Sequence, residues 1–208
     1  FGQSDLKFGP LQVFFGSRGQ FAGNAGNFFA PNGGIAMSRS FWRLRASAYR
    51  SFRAPTLNEL YREFRAGNAV TQANDLLQPE KLWAVEAGGE LRGETWRLGG
   101  TIFHKEVDAV ITNVTLVNTP AQIIRQRRNA AAATVRGVEA DLEKRWRRFR
   151  WDASYLYADS QFSTGVLLPQ VPKHQGSAQM SYARQGTVLT FGMRSSSLQF
   201  EDDRNTLV

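Results

Sequence analysis

The chain has 208 residues, 12% of them aromatic, with 19 glycines, no cysteine and a formal net charge of +8. This is too apolar and aromatic for a disordered tail, and the lack of cysteine removes disulfide scaffolds, iron–sulfur sites and thiol nucleophiles, while His104 and His174 lie too far apart to suggest a metal cluster. No run approaches the ~18–20 apolar residues of a spanning helix, but a spanning β-strand needs only about 9–11 alternating residues.

Period-two alternation predicts weak strands over 6–18 and 28–37, then clearer ones. Over 41–51, Trp42, Leu44, Ala46 and Ala48 oppose Arg43, Arg45, Ser47 and Tyr49. Over 82–91, Trp83, Val85, Ala87 and Leu91 oppose Glu86 and Glu90, and a tight turn leads to Trp96, Leu98, Gly100 and Ile102 opposite Arg97 and Thr101. Val138, Ala140 and Leu142 oppose Glu139, Asp141 and Glu143; Phe149, Trp151, Ala153 and Tyr155 oppose Arg150, Asp152 and Ser154. A last pair sets Ala178, Met180 and Tyr182 against Gln179 and Ser181, then Leu189, Phe191 and Met193 against Thr190 and Arg194. About nine strands result.

Short turns fall at 38–40, 93–94, 145–148 and 184–186, and long segments at 19–27, 52–81, 107–133, 159–173 and beyond 196. Alternation alone also suits a soluble carbohydrate-binding β-sandwich. The asymmetry of turns and long segments, tryptophans at strand ends (Trp42, Trp96, Trp146, with Trp83 at the opposite end) and repeated charges on one face favour a membrane barrel. A sandwich core could not bury those charges unpaired. The fold class expected is therefore all-β, an antiparallel up-and-down transmembrane β-barrel, partial, with about nine strands of a larger wall. Its apolar face should meet lipid and its charged face a wet lumen.

Candidate chemistry is sparse. The run Lys144-Arg145-Trp146-Arg147-Arg148-Phe149-Arg150-Trp151 could describe a nucleic-acid patch, yet its place at a hairpin turn points to cations and indole rings anchoring in lipid headgroups, and no nucleic-acid partner is expected. Gly16-Ser17-Arg18-Gly19 with Gly23, Gly26, Gly33 and Gly34 lacks the Gly-Lys-Ser/Thr ending of a phosphate loop. Asn113-Val114-Thr115 fits the glycosylation pattern but carries no weight without a eukaryotic secretory context. Glu139 and Asp141 share one face of one strand and read as lumen charges paired with arginines across strands rather than as a general acid and base.

One segment is more specific. Ser51-Phe52-Arg53-Ala54-Pro55-Thr56-Leu57-Asn58-Glu59-Leu60-Tyr61 resembles the Phe-Arg-Ala-Pro-(Ser/Thr)-Leu-x-Glu-Leu-(Tyr/Phe) signature of TonB-dependent outer-membrane transporters. The resemblance continues in order through Leu77-Gln78-Pro79-Glu80-Lys81 with Glu86-Ala87-Gly88, Val135-Arg136-Gly137-Val138-Glu139, Tyr155-Leu156-Tyr157-Ala158-Asp159, Val171-Pro172-Lys173-His174 and Asp202-Asp203-Arg204-Asn205-Thr206.

The resemblance implies a 22-stranded barrel in the bacterial outer membrane, with no catalysis and no cofactor. It implies as partners outer-membrane lipid and lipopolysaccharide, the TonB protein through a plug domain, and a small ligand such as a ferric siderophore. Cobalamin and carbohydrate receptors of the same family, and a passive porin, are the alternatives. Residues 1–208 are expected to be a section of such a barrel cut from a longer chain, with plug domain and final strands absent. Candidate ligand residues are Arg53, Tyr61, Arg62, Phe64 and Arg65 in one long segment and Arg125, Arg127 and Arg128 in the next, where cations beside aromatic surface suit an anionic chelate; lipopolysaccharide phosphate or loop carboxylates are the competing partners for these arginines. Pro55 is expected to end the strand ladder and turn 52–61 back over the lumen mouth.

Overall fold

The computed structural model describes residues 1–21, 26–129 and 131–206; part of the first long segment, Gly23 included, lies outside them. With strands numbered along the chain, ten join edge to edge: β1 (Gly2–Phe8), β2 (Leu11–Phe21), β3 (Asn27–Ser38), β4 (Trp42–Arg53), β7 (Glu80–Arg92), β8 (Trp96–Asp108), β11 (Ala133–Trp146), β12 (Phe149–Phe162), β13 (His174–Arg184) and β14 (Thr187–Ser196). Each pairs antiparallel with the next, and the sheet is not closed, since β1 and β14 remain its edges. A second sheet, β5 (Phe64–Ala66), β6 (Ala69–Gln72), β10 (Ile123–Asn129) and β9 (Ile111–Asn118), and the short helix α1 (Leu57–Tyr61) occupy the long segments.

Two sequence expectations change. The single strand expected over 6–18 is a hairpin, because Gly9, at φ 57, reverses the chain and pairs Phe8 with Leu11. The apolar positions had signalled it: they run Leu6, Phe8 and then Leu11, Val13, Phe15, switching from even to odd. The segments 52–81 and 107–133, expected to be irregular, hold four strands, and the β-branched stretch from Ile111 to Val117 supplies one of them.

Register decides which side chains share a face. Met37, Leu44, Gly89 and Gly100 follow one another across β3, β4, β7 and β8, and Leu98, Leu142, Ala153 and Ala178 continue across β8, β11, β12 and β13. Met180 then meets Phe191 on β14. This face is apolar across its middle from strand to strand, with Leu44, Leu98, Leu142, Tyr155, Met180 and Phe191 all exposed. The apolar faces read from sequence therefore lie on one side of one sheet, outside any closed interior.

The chain exposes 13883 Å², against about 9,700 Å² for a compact monomer of its 23.3 kDa. Buried apolar residues among those described, such as Ala84, Ala133, Ala158 and Phe162, sit towards the long-segment end. An open sheet leaves both faces uncovered, and on one of them large apolar side chains such as Leu44, Leu98 and Phe191 stand exposed together.

The height of the apolar face fits a bilayer. Along β11 the outward positions are Arg136, Val138, Ala140, Leu142, Lys144 and Trp146. From Arg136 to Lys144, eight residue steps at ~3.4 Å each make about 27 Å of strand, or about 21 Å of height at a tilt near 40°, with Trp146 two residues further out. Polar and interfacial residues therefore bound a band close to the ~25 Å lipid face of a membrane barrel.

Candidate functional site

The opposite face carries the charges. Arg43 stands across from Glu90, and Arg45 donates to Thr101 Oγ1 at 2.9 Å. Arg97 reaches Glu90 at 3.2 Å and Glu143 at 3.9 Å, Arg145 reaches Glu143 at 2.8 Å, and Arg150 reaches Asp152 at 2.9 Å. Arg92 also pairs with Glu90. Higher on the wall, Tyr49 donates to Glu86 at 3.0 Å, and Lys105 pairs with the same carboxylate at 3.4 Å. Cross-strand neighbours alternate in charge, which stabilises the wall while keeping it wet. Glu139 and Asp141 depart from expectation: among the described residues neither forms an ion pair, because their register partners are Thr101 and Leu156, and Gly99 and Ser154. Asp141 instead lines a polar recess with Arg43, Arg45, Glu90, Arg97 and Thr101.

At the long-segment end the Ser51–Tyr61 motif becomes a built corner. The β4–β7 ladder runs to the pair Arg53 and Glu80, after which Ala54 and Pro55 leave the sheet. Thr56 caps α1 reciprocally: its hydroxyl accepts from the Glu59 N–H at 3.2 Å, and the Glu59 carboxylate accepts from the Thr56 N–H at 2.7 Å. Arg53 holds both carboxylates, giving Nε to Glu80 at 2.7 Å and Nη1 to Glu59 at 3.0 Å. Partial burial opposes ionisation of Glu59, but the Thr56 backbone, Arg53 and the Thr56 hydroxyl together hold its carboxyl below the usual range.

The second sheet then places the other candidates. Phe64, Thr71, Arg125 and Thr115 form one cross-strand row over β5, β6, β10 and β9. Arg127 donates Nη1 to the carbonyls of Asn58 at 3.0 Å and Arg62 at 2.8 Å, which fastens α1 to β10. Arg128 donates to Gln126 at 2.7 Å. Tyr61 and Phe64 are 70% and 56% exposed, and Arg62 and Arg65 are exposed as well. Arg125 is half-buried, and its Nε has no hydrogen-bond partner among the described residues.

Sequence reasoning missed two residues that assemble this end. Asn129 accepts from the Gln78 N–H at 2.7 Å and donates to the carbonyls of Gln78 at 2.8 Å and Ala109 at 2.7 Å, joining the entry to β7 with the exit from β8. Thr115 donates its hydroxyl to Asp203 at 2.7 Å while its carbonyl accepts from Arg204 at 2.8 Å, so the 202–206 motif docks on β9. Asn205 exchanges two hydrogen bonds with the Leu167 backbone, at 2.8 and 3.0 Å. Nothing about a lone asparagine or threonine in sequence marks it as a junction.

An up-and-down antiparallel wall, charged on one face and apolar over hydrocarbon thickness on the other, defines the side of a membrane β-barrel. The sequence matches, over residues 1–207, the family model for the TonB dependent receptor-like β-barrel, and the chain belongs to that family. TonB-dependent receptors are transporters, not enzymes. The fold is similar to that of the siderophore receptor PirA from Acinetobacter baumannii, with a TM-score of 0.72 and 16% identity over 95% of this chain and 34% of that one. It is similar also to a ferric enterobactin receptor, PfeA, from Pseudomonas aeruginosa (TM-score 0.73, 18% identity, 97% of this chain and 32% of that one). The copper transporter OprC gives a TM-score of 0.64 at 18% identity, over 88% of this chain and 32% of that one. The chain thus spans about a third of the length of these structures. No curated protein matches the sequence.

Proposed function

We propose that this chain forms part of the wall and mouth of an outer-membrane receptor that binds a scarce nutrient and imports it with energy from TonB, and that the ligand is an anionic ferric chelate. The single observation that carries the ligand class is Arg125: a half-buried guanidinium with an unpartnered Nε, in one row with the exposed ring of Phe64. A half-buried cation two strands across from an exposed ring supports an anionic, aromatic chelator over a neutral sugar. With Arg53 and Arg127 engaged in holding α1, ligand contact falls to Tyr61, Arg62, Phe64, Arg65, Arg125 and Arg128. In these two segments Glu63, Asp75 and Asp108 are the remaining opposing charges, and the net positive mouth raises the local concentration of anions.

The test uses the full-length parent in proteoliposomes, with ferric siderophores, cobalamin and oligosaccharides as probes. Ferric chelate binding should weaken as the Debye length shortens to about 8 Å near physiological salt, and Arg125→Gln should weaken it by about tenfold, the scale of one charge-assisted hydrogen bond. Salt-insensitive binding of an oligosaccharide, with no affinity for any ferric complex, overturns the ligand class.

A further inference from the structure

The short-turn end carries cations of two kinds. On the lumen side, Arg145 and Arg150 are held by Glu143 and Asp152. At the tips and on the apolar side, Arg147, Arg148 and Arg184 form no ion pair among the described residues, and Lys144 reaches only the Thr95 hydroxyl, at 3.0 Å. Beside them four rings make one outward aromatic shelf: Trp146 lies 6.4 Å from both Phe149 and Trp151, and Phe149 lies 4.9 Å from Tyr182. The guanidinium of Arg147 sits 5.3 Å over the Trp146 ring. The Arg148 carbonyl accepts from the Ala183 N–H at 3.0 Å, so the β11–β12 and β13–β14 turns lie side by side with Arg184 at the second.

We propose that this shelf is a binding site for the phosphate of an anionic glycerophospholipid in the leaflet at the short-turn end. The inference rests on the membrane-barrel reading. Three features single out a lipid rather than a soluble anion or a protein. The rings continue the apolar band, since Trp151 stands opposite Met180 and Trp96 opposite Lys144. Arg147 lies against a ring of that band, its guanidinium over the Trp146 indole at the level where a headgroup phosphate would meet it. Arginine also occupies a position that does not favour it: Arg147 has φ 55 in a two-residue turn, where glycine or asparagine is the local preference. Backbone geometry therefore disfavours an arginine there, and the contact with Trp146 together with charge complementarity to a phosphate offsets that preference.

That strain supplies a clean variant. Arg147→Gly with Arg148→Asn installs a turn-favoured pair and removes both charges, so the hairpin persists. Purified full-length receptor is equilibrated in detergent with equal phosphatidylglycerol and phosphatidylethanolamine, and retained lipid is counted by native mass spectrometry; heat-modifiable gel migration checks that the variant barrel is folded. The wild type should retain phosphatidylglycerol preferentially, and the variant should lose that preference by about 30-fold, from two basic residues near a headgroup plane. Equal phosphatidylglycerol retention by folded wild type and variant overturns the proposal, as does displacement of the lipid by millimolar inorganic phosphate. Retention of neither lipid by a protein that also fails to fractionate with membranes defeats the barrel reading itself; retention of both without preference defeats this proposal alone.

Discussion

Arg53 and Glu80 close the β4–β7 ladder as a two-pronged pair, Nε to Oε2 at 2.7 Å and Nη2 to Oε1 at 3.0 Å, while the remaining guanidinium nitrogen holds Glu59. The two strongest sequence motifs are thus partners. A further hydrogen bond from the Ile111 N–H to Glu80 at 2.7 Å brings β9 to the same point.

The corner should be energetically coupled. Arg53 is 43% exposed in its side chain, so solvent screens the pair, and a double-mutant cycle of Arg53→Ala and Glu80→Ala should give a coupling of about 1 kcal/mol. Protease susceptibility of residues 54–79 in the reconstituted receptor is the readout. Additive single-variant effects would show that the pair is ornamental.

Acid should loosen α1. The Glu59 carboxyl is held below its ordinary value in the folded state, so its contribution is complete above the ordinary carboxylate range and is lost as pH falls through the depressed value. Amide exchange at Glu59 and Leu60, corrected for intrinsic pH dependence, should accelerate only on that acid side. Glu59→Gln should flatten the profile.

Gly137 admits no side chain. A Cβ there would collide with the Tyr157 carbonyl and with the Phe103 ring lying over it, so Gly137→Ala should destabilise the barrel by about 1–3 kcal/mol, measured by urea unfolding in detergent. Gly2, with nothing within 4 Å of its Cβ position, should accept alanine without loss. Gly137 thus makes room for the Phe103 ring of the neighbouring strand.

The two faces should respond oppositely to charge. Ala140 is mid-band on the apolar face and Gln179 lies on the charged face. Ala140→Arg should cost about 2–4 kcal/mol in a bilayer, and Gln179→Arg close to nothing. Equal penalties in a folding assay would contradict the assignment of lipid and lumen.

Asn129→Ala should release the junction of two loops, because it strands the Gln78 N–H and two carbonyls at once. Hydrogen exchange at Gln78 and along β10 should rise by at least tenfold, corresponding to ~1–3 kcal/mol of local stability. Exchange confined to Asn129 itself would show that the contacts are incidental.

Much of the wall was legible from period two. Leu98 and Leu142, or Arg97 and Glu143, fall on the correct faces because alternation along each strand and antiparallel neighbours force the faces to agree. The turn at Gly9 was legible too, through the parity switch between Phe8 and Leu11. The mouth was not. Arg53 and Arg127 look in sequence like Arg62 and Arg65, cations in polar stretches, yet the first two hold carboxylates and helix carbonyls while the others face solvent.

By itself, then, the sequence determined the strand class, the two faces and the family signature, since each is written in local spacing over a dozen residues. Only the tertiary structure decided that 64–72 and 111–129 build a sheet, that Asn129 and Thr115 join loops, and which arginines are spent on the fold. Those outcomes rest on contacts between residues such as Thr115 and Asp203, 88 positions apart, where chain closure sets the partner and no local pattern records it.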